Sequence, residues 1–319
     1  MNDGAQELRW NHQDPDYLPP EIDTSKPSIA RVYDAFLGGK DNFAADRAVA
    51  AEGMRHFPDR GEGARQNRAM LFRGVRFMAE QGIDQFLDIG SGLPTMDNTH
   101  SVAQRVNPGA KVVYVDNDPI VLAHARALLQ TNDDTRVITA DMRRPDTILR
   151  HPQIEGFLDL SRPIGLLMVA VVHHLGDAED PHGLVDRYKA ALAPGSYLQL
   201  THFCSCAPEV RALEGVLLKM LGTGRARDMP EILGFFDGLE LVEPGVVHLP
   251  EWRPGQPVRT PPRAGRHLHR GGSGPQTLNG SGRPPGPGSP GPGYFRPMRR
   301  EIREVRLSGR SLPTATIAL

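Results

Sequence analysis

Phe86-Leu87-Asp88-Ile89-Gly90-Ser91-Gly92-Leu93-Pro94-Thr95 is the stretch whose reading decides the fold: an apolar strand that runs into a glycine turn. One βαβ unit later comes Val112-Val113-Tyr114-Val115-Asp116-Asn117-Asp118-Pro119, a second apolar strand that ends in acids. Gly90 and Gly92 lack a Cβ, so the backbone there can turn sharply and come close to a ligand. A helix expected from near Met96 would add N–H groups suited to an anionic or carboxylate-bearing ligand. Asp116, at the end of the second strand, is placed to accept hydrogen bonds from ribose hydroxyls. Together the two stretches predict a nucleoside-binding crevice at the carboxyl edge of a parallel sheet.

Dinucleotides and S-adenosylmethionine both use this layout. A dinucleotide fingerprint wants G-x-G-x-x-G/A, and Thr95 stands at its third position. Asp88, two residues before Gly90, makes the pattern D-x-G-x-G, which resembles motif I of the class I methyltransferases. A third acid, Asp141, closes the next strand, Arg136-Val137-Ile138-Thr139-Ala140-Asp141-Met142. In the methyltransferase layout this acid faces the adenine; otherwise it caps the helix that begins near Pro145.

The elements alternate outward from this pair. Helices are expected over Ser28–Leu37, Ala44–Glu52 and Ala64–Glu80, then strands over Gln85–Ile89, Lys111–Val115 and Thr135–Ala140. Asp118 and Pro119 open the helix after the second strand as N-cap and N1. Ile164-Gly165-Leu166-Leu167-Met168-Val169-Ala170-Val171 is a continuous apolar run, as in a central strand buried on both faces. Ser196–Thr201 reads as a fifth strand and Leu239–Leu249 as one more, whole or split at Pro244-Gly245. Strands alternating with helices at this spacing predict a doubly wound, mostly parallel α/β sheet.

The rest of the composition sets limits. Residues 1–24 are polar and are expected to be a disordered lead. The N-terminus carries no signal pattern, and no apolar run reaches the roughly 18 residues of a membrane helix, so a cytoplasmic protein is expected. Cys204 and Cys206 are the only two cysteines among 319 residues, and reduced thiols are expected. After Trp252 the composition changes: residues 253–292 hold ten prolines and ten glycines, and from Arg253 onward twelve arginines face two glutamates. Residues 253–319 therefore read as a disordered tail, of a composition that out-of-frame translation of GC-rich DNA would give. No closing strand is legible in it, which puts the last strand of the sheet in doubt. The body that remains is acidic, which speaks against a nucleic-acid partner.

Longer strings carry a more specific resemblance. Arg31-Val32-Tyr33-Asp34, Leu37-Gly38-Gly39-Lys40-Asp41-Asn42-Phe43, the two crevice stretches, His124-Ala125-Arg126 and Pro194-Gly195-Ser196-Tyr197-Leu198 resemble a methyltransferase family of high-GC bacteria. That family depends on S-adenosylmethionine and was long catalogued as a domain of unknown function. The likeness covers roughly residues 20–252. It implies a class I Rossmann-like methyltransferase fold over residues 25–252, with a helical lid at 28–80. It also implies S-adenosylmethionine as cofactor, held by Asp88, Gly90, Ser91, Gly92, Asp116, Asn117, Asp141 and Met142, with Tyr33 and Lys40 closing from the lid.

The acceptor is expected to be a small molecule. Methyl transfer from a sulfonium needs alignment and exclusion of water, and a base only where the acceptor's pKa demands one. His173 or His174, after the central strand, could take that proton, and His173 is the candidate; as an alternative, these histidines only shape the pocket. No metal site is expected, since neighbouring residues on one strand point to opposite faces. The alternative is a cofactor-binding protein without turnover; a nicotinamide oxidoreductase is disfavoured by Thr95 and by the absence of a recognisable hydride-transfer site.

Overall fold

The computed structural model describes residues 23–94, 98–129, 133–254 and 314–317. Among the described residues seven strands make one sheet: β1 Gln85–Ile89, β2 Lys111–Asp116, β3 Thr135–Thr139, β4 Gly165–Val169, β5 Tyr197–Thr201, β6 Glu240–Leu241 and β7 Thr314–Ile317. Their order is β3-β2-β1-β4-β5-β7-β6, and every paired neighbour is parallel. The chain steps outward from β1 to β3, then returns to lay β4 on the other side of β1. The switch point therefore falls between β1 and β4, where doubly wound sheets bind ligands beyond their carboxyl ends.

The helices are α1 Ile29–Leu37, α2 Ala44–His56, α3 Arg60–Glu80, α4 Thr99–Val106, α5 Pro119–Leu129, α6 Pro145–Leu149, α7 Pro181–Ala190, α8 Pro208–Leu221 and α9 Met229–Gly234. Side chains alternate between the two faces of a strand, and the core divides accordingly. Leu87, Ile89, Val113, Leu166 and Met168 pack with Ile148, Val185, Tyr188, Ile232 and Phe235 on one face. Phe86, Val112, Tyr114 and Leu167 pack with Val75, Met78, Val102 and Ala103 on the other. A third cluster of Val32, Phe36, Val49, Ala64, Leu213 and Leu217 joins α1, α2, α3 and α8.

Polar ties fix these helices over the sheet. Arg31, buried in α1, pairs with fully buried Asp46 of α2 at 2.9 Å. Gln199 of β5 donates to the Met70 carbonyl of α3 at 3.0 Å. Arg73 of α3 donates to the Trp252 carbonyl at 2.9 Å and also holds that of Leu249, so the chain is fastened to α3 as far as Trp252, which is fully buried.

The sequence expectation differs from this structure in several places. α3 starts at Arg60, four residues before Ala64, and α4 starts at Thr99. Leu239–Leu249 yields only the two-residue β6. Cys204 and Cys206 are joined in a disulfide, with Cα atoms 5.2 Å apart, inside the span that a bridge requires. A last strand does exist: Thr314–Ile317 lies between β5 and β6, although no strand was expected from the tail. It runs parallel to both. The expected lead over residues 1–24 falls outside the described residues except for its last two. The expected tail does so except for 253–254 and 314–317. No helix among the described residues is long and apolar enough to cross a membrane.

Candidate active site

The switch point opens into a cavity of about 590 Å³. Its floor is the turn after β1. Gly90 has φ +69°, and a Cβ there would lie 2.3 Å from Val171 Cγ2, so the turn and the end of β4 meet only because Gly90 has no side chain. Gly92 has φ +66°, and a Cβ added there would meet no atom within 4 Å; this backbone borders open space.

Asp116 ties the turn to the second strand. Its Oδ2 accepts from Gly92 N at 2.8 Å and its Oδ1 from Asp118 N at 2.9 Å. Asp88, on the opposite side of the turn, accepts from Thr99 Oγ1 at 2.7 Å and so holds the start of α4. Burial pushes each of these carboxyls up to about 6. The Thr99 hydrogen bond and the Arg68 charge oppose the shift at Asp88, and backbone hydrogen bonds oppose it at Asp116.

One wall belongs to α1. The Ser28 hydroxyl accepts from Arg31 N at 3.3 Å and donates to Asp118 Oδ2, while Asp118 Oδ1 accepts from Ile120 N at 2.9 Å. The first turns of α1 and α5 thus share one hydrogen bond above the crevice. Deeper in, Ala170 N donates to Thr201 Oγ1, which donates to Asn67 Oδ1. Asn67 Nδ2 donates to the Tyr33 hydroxyl, which donates to the Ala64 carbonyl; the four distances run from 2.7 to 3.1 Å. A relay of this kind sets Tyr33 from β4, β5 and α3 together.

Most of the sequence-derived candidates converge here. Asp88, Gly90, Ser91, Gly92, Asp116 and Asn117 line the cavity, as do Tyr33, Asp141, Met142 and His173. Asp141 does not cap the helix at Pro145. Arg144 occupies that N-cap without a side-chain bond, and Asp141 Oδ1 accepts from Arg143 N at 2.9 Å instead. Lys40 is exposed and is not part of the cavity wall. Its loop is drawn to Asp34, whose Oδ2 accepts from Asp41 N at 2.9 Å and Asn42 Nδ2 at 2.7 Å.

His173 is 2% exposed, and its Nδ1 has no hydrogen-bond partner. Its ring stacks on Phe203 at 3.8 Å between centroids. Burial, reinforced by neighbouring His174, His202, Arg60 and Arg227, holds this imidazole well below its ordinary range. His174 is pushed down to about 3, chiefly by burial. Asp177 pairs with Arg225 at 2.9 Å and Arg227 at 3.0 Å, and no group of three His, Cys, Asp or Glu among the described residues could hold a metal ion.

Several lining residues were not read from the sequence: Arg60, Phe203, Leu217 and Leu221. The stretch Arg65-Gln66-Asn67-Arg68 divides, with Arg65 and Gln66 bonding to Glu62 and Asn67 and Arg68 lining the cavity. The available signal was helical spacing: Arg60, Ala64, Asn67 and Leu71 share one face of α3.

Comparison with known proteins agrees with this geometry. Residues 15–275 match a family model described as S-adenosyl methyltransferase. The solved structure of a candidate methyltransferase from Thermobifida fusca YX is 52% identical and has a TM-score of 0.72, covering 76% of this chain and 91% of its own. A DUF574 family protein from Streptomyces avermitilis MA-4680 is 40% identical with a TM-score of 0.72, covering 74% of this chain and 92% of its own. No protein of curated function matches.

Proposed function

The chain belongs to the S-adenosyl methyltransferase family and is an S-adenosylmethionine-dependent methyltransferase, and on that premise we propose that it methylates a small molecule enclosed in the cavity at the β1–β4 switch point. Residues 25–252 form the catalytic domain in this reading, with α1, α2 and α3 as its cover. One observation carries it: the Asp116 carboxylate, fixed by Gly92 N and Asp118 N, lines a cavity whose volume suits a nucleoside and a small partner.

The residues present suit that cofactor. Asp116 keeps lone pairs for ribose hydroxyls, and the open backbone at Gly92 allows a close approach. Asp88, Ser91 and Tyr33 would border the methionine end, and Asn117, Asp141 and Met142 the nucleoside. When bound, S-adenosylmethionine supplies a sulfonium methyl for in-line displacement. The protein's part is to orient the acceptor and exclude water.

His173 serves in this reading as a neutral wall of the pocket, with Phe203 stacked on it. A general base works best with a pKa near the operating pH, and burial holds this imidazole far below it. An acceptor that arrives ionised, or that loses its proton readily, needs no base at this position.

Two readouts of opposite sign follow from Asp88 and Asp116, both pushed up to about 6. Below that pH Asp116 takes a proton and stops accepting from two ribose hydroxyls, so affinity for S-adenosylhomocysteine should fall roughly tenfold per pH unit. The unliganded fold should instead gain stability as the pH drops from about 6 toward 4, because folded carboxyls bind protons there and unfolded ones do not. Calorimetry at several pH values and thermal melts of the free protein measure the two trends. A flat affinity profile would remove the Asp116 contact.

Lys40→Ala is expected to leave S-adenosylhomocysteine affinity within about twofold, since surface substitutions away from contacts have small effects. A loss of tenfold or more would return Lys40 to the site. Titration with S-adenosylmethionine, S-adenosylhomocysteine and NAD tests the whole reading. Micromolar binding of the first two and none of NAD supports it, whereas binding of NAD alone, or of none by folded protein, overturns it.

A further inference from the structure

The aromatic part of the cavity holds a cation with no anion to match it. Arg60, the first residue of α3, is 7% exposed. Its Nε is buried without a partner, and no hydrogen bond or ion pair to a described residue engages its guanidinium. Other cavity cations are matched: Arg31 by Asp46, and Arg143 by Asp141 and Glu179. The cavity acids are also committed elsewhere, Asp88 to Thr99, Asp116 to backbone N–H groups and Asp118 to Ser28. An unpaired charge out of water is costly, and proteins rarely keep one there without a partner.

The surroundings define that partner. The guanidinium carbon lies 4.9 Å from the Phe36 ring centroid, 5.0 Å from that of Phe203 and 6.0 Å from that of Tyr33. Rings attract the charge through their π faces but leave the in-plane N–H fork unsatisfied. That fork fits a carboxylate in bidentate fashion. Phe36 and Phe203, the latter with His173 stacked on it at an interplanar angle of 16°, make this end of the cavity aromatic, and an aromatic ligand packs well among such rings.

We propose that Arg60 binds the carboxylate of the methyl acceptor, and that the acceptor is a planar aromatic acid lying against Phe36 and Phe203. The inference rests on the methyltransferase reading of the same cavity and adds the chemical class of its second occupant.

The test uses full-length protein saturated with S-adenosylhomocysteine. Benzoate and 1-naphthoate are titrated against their amides by ligand-observed NMR, with acetate as a carboxylate that has no ring. Each acid should bind roughly tenfold or more tightly than its amide, the scale of a charge-assisted hydrogen bond, and acetate should bind more weakly than benzoate. Arg60→Gln should erase the preference for acid over amide, and Arg60→Lys, which keeps the charge but not the fork, should keep part of it. If Arg60→Gln does not fold, the wild-type and lysine arms decide. Equal binding of acid and amide, failure of every acid to bind, or a preference that survives Arg60→Gln overturns the inference. Retained binding of S-adenosylhomocysteine in those cases leaves the methyltransferase reading intact; its loss in the wild-type protein takes down both.

Discussion

Replacing Asp116 by alanine is expected to lower affinity for S-adenosylhomocysteine by roughly 100-fold or more, since two charge-assisted hydrogen bonds of about 1.5–3 kcal/mol each depend on its carboxylate. The effect is large because that side chain does two things. Its oxygens hold Gly92 N and Asp118 N at 2.8 and 2.9 Å, and in the proposed reading the same oxygens accept from the ribose hydroxyls. Alanine removes the ligand contact and releases two backbone donors of the crevice together. Asparagine keeps the volume and one acceptor, so Asp116→Asn should fall between alanine and wild type. Calorimetric titration of the three proteins ranks them. A loss of less than about threefold in the alanine variant would separate Asp116 from cofactor binding.

Gly90→Ala is expected to destabilise the fold by roughly 2–5 kcal/mol, combining about 1–2 for a left-handed backbone in a residue with a side chain with about 1–3 for overpacking. The new methyl would lie 2.3 Å from Val171 Cγ2 and 2.8 Å from Val171 Cβ. Valine cannot swing aside, since its χ1 is restricted. Urea denaturation gives the cost. The second half of the test is Val171→Gly in the same background: it removes both atoms in the way, so the overlap share should be recovered while the backbone share remains. Additive costs in the double variant would show that the two residues do not meet.

Much of this architecture was legible because it is written in local terms. A strand, a glycine turn and a strand-end acid are short-range features, and each appears in the structure where the sequence puts it. The start of α3 was not legible. Asp59-Arg60-Gly61-Glu62-Gly63 reads as a loop by its glycines, and packing of the helix against α1 and β5 overrides that preference. The acceptor side was hidden for a related reason. Arg60, Asn67, Thr201 and Phe203 meet only because α3 lies on β5, a contact between segments more than a hundred residues apart that no local pattern encodes. Lys40 was assigned through resemblance; Asp34 ties its loop through Asp41 and Asn42, away from the cavity lining. The last strand, four residues far beyond a long Gly- and Pro-rich stretch, is too short to carry a period of its own.

The shared hydrogen bond between Ser28 and Asp118 has a kinetic consequence. The hydroxyl that starts α1 and the carboxylate that starts α5 join two walls of the crevice, and in the proposed reading a ligand seated beside them departs when that contact opens. Residence time is then governed by an opening step on the protein's own clock. Where departure of a product waits on such a step, release and not bond-making sets the turnover rate. The spent cofactor, S-adenosylhomocysteine, would be the slow passenger, and its dissociation rate would put a ceiling on how fast the enzyme can cycle.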